Sequence, residues 1–265
     1  FTYNNVSFTS GAITNIFFNN LNTFNNLTFA APSSTTVYPV QFGENQIVNG
    51  TLTCAGGSAV QRIFMRSGSL NTQRTLTVNS ISATDCDFRD IIIAGAASGS
   101  SPTRAGNCGN NSGITFLAPK TVYWNLAGTQ NWSATAWAIS SGGTPDINQF
   151  PLAQDTAVFD NTGAADTITI DVAWNIGTFD ASSRTSATTF STSTISPSVY
   201  GDWKFGTGVT SSSTTGAITF QKYGTQIITS NGVQFGCPIT VNNAFTSIVL
   251  ADALSLNSAR SFTAT

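Results

Sequence analysis

Three aspartates and an arginine stand within six residues in "DCDFRD", running from Asp85 to Asp90. Cleaving a glycosidic bond takes two carboxyl groups about 5–9.5 Å apart. In a β-strand Asp85 and Asp87 share one face, about 7 Å apart by the strand rise. Asp85 and Asp87 are therefore the candidate catalytic pair. A blander role competes with that one, because acids on a solvent-facing strand beside an arginine commonly serve solubility and ion pairing, and exposed pairs contribute little. The chain has no histidine, which removes the commonest general base, the neutral-pH switch and the commonest metal ligand together. A serine or cysteine nucleophile would lack its base. The balance is against an enzyme.

Other chemistry-bearing residues are scattered. Asp155, Asp160, Asp166 and Asp171 could offer loop oxygens to calcium, but no calcium-binding repeat accompanies them, and turn capping is the expected role. "CAGGSAV" (54–60) lacks the lysine and the following helix of a phosphate loop. Neither a metal nor a cofactor is expected. The four cysteines, Cys54, Cys86, Cys108 and Cys237, are too far apart for zinc spacing. They read as small buried hydrophobes. Alternatively, Cys86 and Cys108 clip the Gly/Ser-rich excursion between them as a disulfide, which would require an oxidising location.

The elements that must position these residues are β-strands. Hydrophobic residues make up 40% of the 265 and charged residues only 8%, against about a quarter charged in a typical domain. Ser, Thr, Asn and Gly must therefore make the surface polar. Ten basic and twelve acidic residues, with a pI near 4.8, give no basic patch for nucleic acid. No stretch reaches the roughly 18 consecutive apolar residues that span a bilayer. Val, Ile, Thr and Phe are abundant, and the fold class is all-β.

Strand-like runs occur at 25–29, 36–42, 45–54, 62–66, 74–88 and 113–116, separated by Gly, Asn, Ser or Pro. "NNLTF", "DCDFRDI", "SGITF", "DWKFG", "GAITF" and "CPITVN" read as one strand revisited every 15–27 residues or so (roughly), the length of a solenoid rung. The architecture expected is a parallel β-helix or β-solenoid. Tandem β-sandwich or jelly-roll domains are the alternative. The divisions expected are a solenoid-like region at 1–118, a Trp-rich β module at 119–165 and a second solenoid-like region at 166–265. The last stops in mid-alternation, as though a further strand followed.

The Trp-rich module begins "YWNLAGTQNWSATAW" (123–137) and runs on to "FPLAQDTAVFDN" (150–161). Three indoles close together supply a large apolar mass with few rotatable bonds, and core packing is the first reading. A sugar-stacking platform of Tyr123, Asn131 and Trp132 is the second. The arrangement Trp124, Gly128, Asn131-Trp132-Ser133, Trp137, Pro151 and Asp155 to Asp160 resembles a segment of secreted β-helical surface proteins, which implies a lead-in to a new run of rungs.

A wider resemblance is carried by "DCDFRDIIIAGAA", "GNCGNNSGITF" and "GAITFQKYGTQIITSNGVQFGCPITVNNAFTSIVLADALSLNSARSFTAT". These are similar to the repetitive β-helical structural proteins of tailed bacteriophages. The resemblance implies a non-enzymatic virion protein, such as a tail fibre, spike or capsid-surface appendage, among other virion proteins and in contact with host glycans. Open solenoid edges need partners, so a homo-oligomer is expected, a trimer by analogy. Two other classes remain open. One is an extracellular or bacterial-surface adhesin; the other is a glycan-cleaving tailspike using Asp85 and Asp87. Without histidine, the Gly-His-Gly element of polygalacturonase-like enzymes cannot be present.

Overall fold

Strand pairing, rather than strand content, decides between a solenoid and a sandwich. In the computed structural model, which describes residues 1–9, 15–242 and 244–264, the named strands pair in parallel, with one antiparallel exception at Trp137–Ala138. Two short 3-10 turns, Gly95–Ala97 and Ile147–Gln149, are the only helical elements among the described residues. The chain is an all-β solenoid of about 11 stacked turns. It divides into two compact units, Phe1–Ala118 and Pro119–Thr265.

The first unit has two parallel sheets that the chain visits alternately. One contains Thr2–Phe8, Asn22–Phe29, Gln46–Ala55, Arg74–Thr84 and Ile91–Ala94; the other contains Ile16–Phe18, Thr36–Phe42, Gln61–Ser67, Cys86–Arg89 and Gly106–Asn107. Alternation along each strand sends every second side chain inward, and the register stacks these into columns. Tyr3, Phe24, Val48 and Val78 form one such column. Ile16, Val40, Met65 and Phe88 form another on the facing sheet. Their inner members join one continuous core.

Two expected strands differ in detail. The run at 74–88 is broken at Asp85, whose φ of 52° turns the chain from one sheet to the other. Aspartate is among the few residues that tolerate that left-handed conformation. The run at 113–116 contracts to a single bridge between Ile114 and Ser100. There Gly113 has φ 68°, and a Cβ on it would lie 1.9 Å from the Ile93 carbonyl oxygen.

In the second unit each coil is divided among three shorter strands. One sheet runs through Thr121–Trp124, Thr156–Val158, Thr178–Asp180, Trp203–Lys204, Gly224–Thr229 and Thr246–Leu250. A second contains Gly128–Asn131, Ala165–Thr169, Thr188–Ser191 and Val209–Ser212. A third steps through Ile176, Val199, Phe220, Val241 and Ala264, advancing 23, 21, 21 and 23 residues. The first strands of the Trp-rich segment lie in these same sheets. Trp137–Ala138 closes one sheet edge by pairing antiparallel with Thr121–Trp124.

An aromatic column fills this unit. Trp124 stacks on Phe159 at 5.6 Å, Phe159 on Phe179 at 4.9 Å, and Phe179 on Trp203 at 4.2 Å with ring planes 9° apart. Phe179 is 1% exposed and also meets Phe190 edge-on at 4.8 Å. Truncating a buried phenylalanine removes its transfer free energy and leaves a cavity. Phe179→Ala should therefore cost about 3–5 kcal/mol of stability, read as a lowered midpoint in urea unfolding followed by circular dichroism.

Candidate functional site

The densest polar cluster lies on the outward side of the second sheet in the first unit, and Arg62 is its centre. Inward residues of the Gln61–Ser67 strand are Ile63 and Met65, so alternation points Arg62, Phe64 and Arg66 the other way. The register sets Phe64 beside Asp87 and Arg66 beside Arg89. Arg62 donates to Asp87 Oδ1 from Nε at 3.0 Å and from Nη2 at 2.6 Å. Its Nη1 lies 3.6 Å from Asp85 Oδ1. Arg104 completes the set, with Nε 2.6 Å from Asp85 Oδ1 and Nη2 2.5 Å from Oδ2.

The structure thus brings Asp85 and Asp87 together, but on one guanidinium and not across an open groove. They are 1% and 2% exposed, and Arg62 is 2% exposed. Burial works against the Arg62 charge, yet Asp87 first and Asp85 next more than offset it, and the guanidinium is held more firmly protonated than usual. Two further groups extend the network. Asp90 forms an ion pair with Arg89, whose Nε lies 3.3 Å from Oδ2, and accepts from Asn110 Nδ2 at 2.7 Å, while Arg66 and Arg89 lie over the Phe64 ring at 5.6 and 5.5 Å. With the carboxylates excluded from solvent and engaged by arginines, the geometry offers no seat for a sugar ring between them.

The stacking platform needs correction. Trp132 is fully buried, tilted against Trp137 at 4.9 Å and against Phe159 at 5.7 Å. Asn131 is exposed and Tyr123 half-buried, so the three do not share a surface. The strand Gly128–Asn131 ends there, and Trp132, the first residue of the turn that follows, takes the inward side.

The disulfide weighed as the alternative for Cys86 and Cys108 is not made, and all four cysteines are buried. Asp87 pairs with Gly106 and Phe88 with Asn107, which sets Cys108 beside Arg89, three positions along the ladder from Cys86. That offset is about 10 Å, beyond the roughly 7 Å between Cα atoms that a disulfide tolerates. The sulfur facing Cys86 is that of Cys54, 2.7 Å away.

Of the scattered acids of the second unit, Asp155, Asp160 and Asp171 lie between strands, while Asp166 is an exposed residue of the strand Ala165–Thr169. Asp155 accepts from the N–H groups of Lys120 and Leu152, both at 3.0 Å, and Asp171 from Trp174 Nε1 at 3.0 Å. No group of three metal-ligating side chains occurs among the described residues. Two concavities are notable for their linings. One, at the first coils, is lined by Phe1, Tyr3, Val6, Phe8 and Phe17 with neighbouring asparagines. The other is a groove lined by Thr207, Thr210, Ser211, Asn231, Gln234 and Asn257, with no charged side chain in its lining.

Comparison with protein-family models, curated proteins and solved structures gives no match for this chain. No helix among the described residues is long and apolar enough to cross a membrane.

Two outcomes follow from this electrostatic arrangement. Breaking a buried ion pair leaves an uncompensated charge, so Arg62→Ala should cost about 3–5 kcal/mol. The double change Arg62→Met with Asp87→Leu should recover part of that loss, since Asp85 retains Arg104. Chemical denaturation of the single and double variants measures both. Asp252 is one source of pH dependence. Its carboxyl is held below the usual range, chiefly by the Ser230 N–H and also by the Asn231 N–H, which reach it at 2.8 and 2.7 Å from the preceding coil. A depressed folded value means its contribution is complete above the unfolded value of about 3.9 and disappears as pH falls through the folded one. Thermal melts between neutral pH and pH ~3 should lose less in Asp252→Asn than in the parent chain.

Proposed function

We propose that this chain is a non-enzymatic structural protein of a virion, part of a tail fibre, spike or capsid-surface appendage. Support for the non-enzymatic part comes from one observation above all. The only close carboxylate pair singled out for catalysis, Asp85 and Asp87, is 1% and 2% exposed and tied to Arg62. The virion part rests on the resemblance of the rungs to repetitive phage appendage proteins, together with the solenoid fold. A solenoid suits a mechanical role, because each coil braces its neighbours through hydrogen bonds and shared side-chain columns.

In this reading the solenoid assembles with copies of itself and with other virion proteins. Contact with host glycan would fall on outward polar surface such as the groove of Thr210, Asn231, Gln234 and Asn257, whose amides and hydroxyls suit a polyhydroxylated partner. Immunogold electron microscopy with an antibody to this chain, on particles and cells from its source, tests the proposal. Gold at fixed positions on particles is the expected result. Gold confined to cell envelopes would replace the virion reading with the adhesin. Release of reducing ends from host polysaccharide, lost in Asp85→Asn or Asp87→Asn, would instead establish the cleaving tailspike.

A further inference from the structure

Two thiols meet in the core of the first unit without any role in the function just proposed. Cys54 lies in the strand Gln46–Ala55 of one sheet, in a column with Phe8, Phe29 and Ala83. Cys86 opens the strand Cys86–Arg89 of the other sheet, one coil further on, in a column with Tyr38 and Ile63. Both face inward and are 0% exposed. Their sulfurs are 2.7 Å apart, well inside the ordinary separation of unbonded heavy atoms, about 3.5–4 Å. A disulfide bond measures about 2.05 Å, so closure takes a movement of about 0.7 Å.

The surroundings hold Cys86 in place from the other side of its strand. The flanking residues Asp85 and Asp87 are both anchored on Arg62, and Arg62 Nη2 also donates to the Cys86 carbonyl at 3.3 Å. On the inner side the Cys86 thiol is within reach of the carbonyl oxygens of Cys54, at 2.8 Å, and Thr84, at 3.2 Å. The buried charges thus position the backbone that aims one sulfur at the other. Cys108 is offset from Cys86 along its sheet, and Cys237 lies in the other unit beside Ser211 Oγ at 3.8 Å.

We propose that Cys54 and Cys86 form a disulfide that locks two successive coils and both sheets of the first unit together under oxidising conditions. The oxidant is a disulfide compound, either oxidised glutathione or a protein dithiol-disulfide oxidoreductase. One cysteine thiolate attacks it to give a mixed disulfide and release one thiol. The second cysteine, losing its proton, displaces the remaining thiol and makes the Cys54–Cys86 bond. Two electrons pass to the oxidant, which leaves as two thiols. Burial, and then the neighbouring Cys86, push the Cys54 thiol well above its ordinary ionisation range, so exchange takes place as the chain folds or opens locally.

The test compares the chain produced in a reducing cytosol with the same chain directed to an oxidising bacterial periplasm. Each is denatured in acid, alkylated without reductant and mapped by mass spectrometry. All four cysteines should be alkylated in the cytosolic product. In the periplasmic product, two should be lost to a linked peptide joining Cys54 and Cys86, with Cys108 and Cys237 still alkylated. Refolding the cytosolic product from denaturant in a glutathione redox buffer gives a second route to the same readout. That link should survive Cys108→Ala with Cys237→Ala. Four alkylatable thiols in the folded chain by both routes, or Cys86 joined to Cys108, would overturn the proposal.

Discussion

Within each unit the strands of one coil take their hydrogen-bonding partners from the neighbouring coils, with Trp137–Ala138 the one antiparallel exception among the named strands. A strand such as Trp203–Lys204 is two residues long and could not persist alone. It is held because Phe179 and Ile228 flank it in register on either side. The same constraint acts on side chains, since inward positions of successive coils share a column. The Phe179–Trp203 stack at 4.2 Å is one consequence, and the Phe18–Phe42 stack at 5.3 Å is its counterpart in the first unit. The three clustered indoles occupy the first coil of the second unit, where an antiparallel strand closes the edge. There the large rings supply contact area to the start of the column.

Charge is scarce here, and much of it is used inside. A solenoid exposes backbone carbonyls at every corner, where the chain leaves one sheet for the next and the ladder is interrupted. A guanidinium carries five donors in a fixed fork, so one arginine can serve several such carbonyls. Arg184, 3% exposed, donates to the carbonyls of Asp160, Ala165 and Ser186. Arg260 reaches those of Ser213, Thr214 and Gly236. Gln226 acts alike with an amide, donating to Val199 O at 3.1 Å. Arg62 joins this group through the carbonyls of Cys86 and Arg104, but takes two carboxylates as well. Its cluster is a corner staple with an added ion pair.

What the sequence made legible follows from range. Strands were readable because alternation is local: 36–42, 45–54 and 62–66 appear within a residue or so as Thr36–Phe42, Gln46–Ala55 and Gln61–Ser67. Fold class was readable because the strand motif recurs at rung length. Register was not, because coil lengths vary. From Thr23 to Ile47 the ladder advances 24 residues, and from Ile47 to Thr77 it advances 30. Arg62 could therefore not be matched to Asp87, nor Cys54 to Cys86, from spacing alone. "RIFMR" gave no sign that its first arginine is buried. The break at Asp85 was hidden for a different reason, since "SATDCDF" alternates smoothly through a corner that only a backbone torsion reveals.

The two units solve the same stacking problem with different strand lengths, and this bears on where function can reside. Two long strands per coil, up to the eleven residues of Arg74–Thr84, leave few corners. Three short strands per coil need more corners, and each must let successive coils approach closely. Gly177 shows how tight that approach is, because a Cβ there would lie 2.0 Å from the Asp155 carbonyl oxygen of the coil before. Inward columns and close-packed corners are thus bound by their neighbours on both sides, and a change in one coil strains two others. Outward positions and the loops between strands escape this coupling. In a fold of this kind, surface recognition can vary freely only there, on polar faces such as the groove of Asn231, Gln234 and Asn257, while the core is committed to keeping the coils in step.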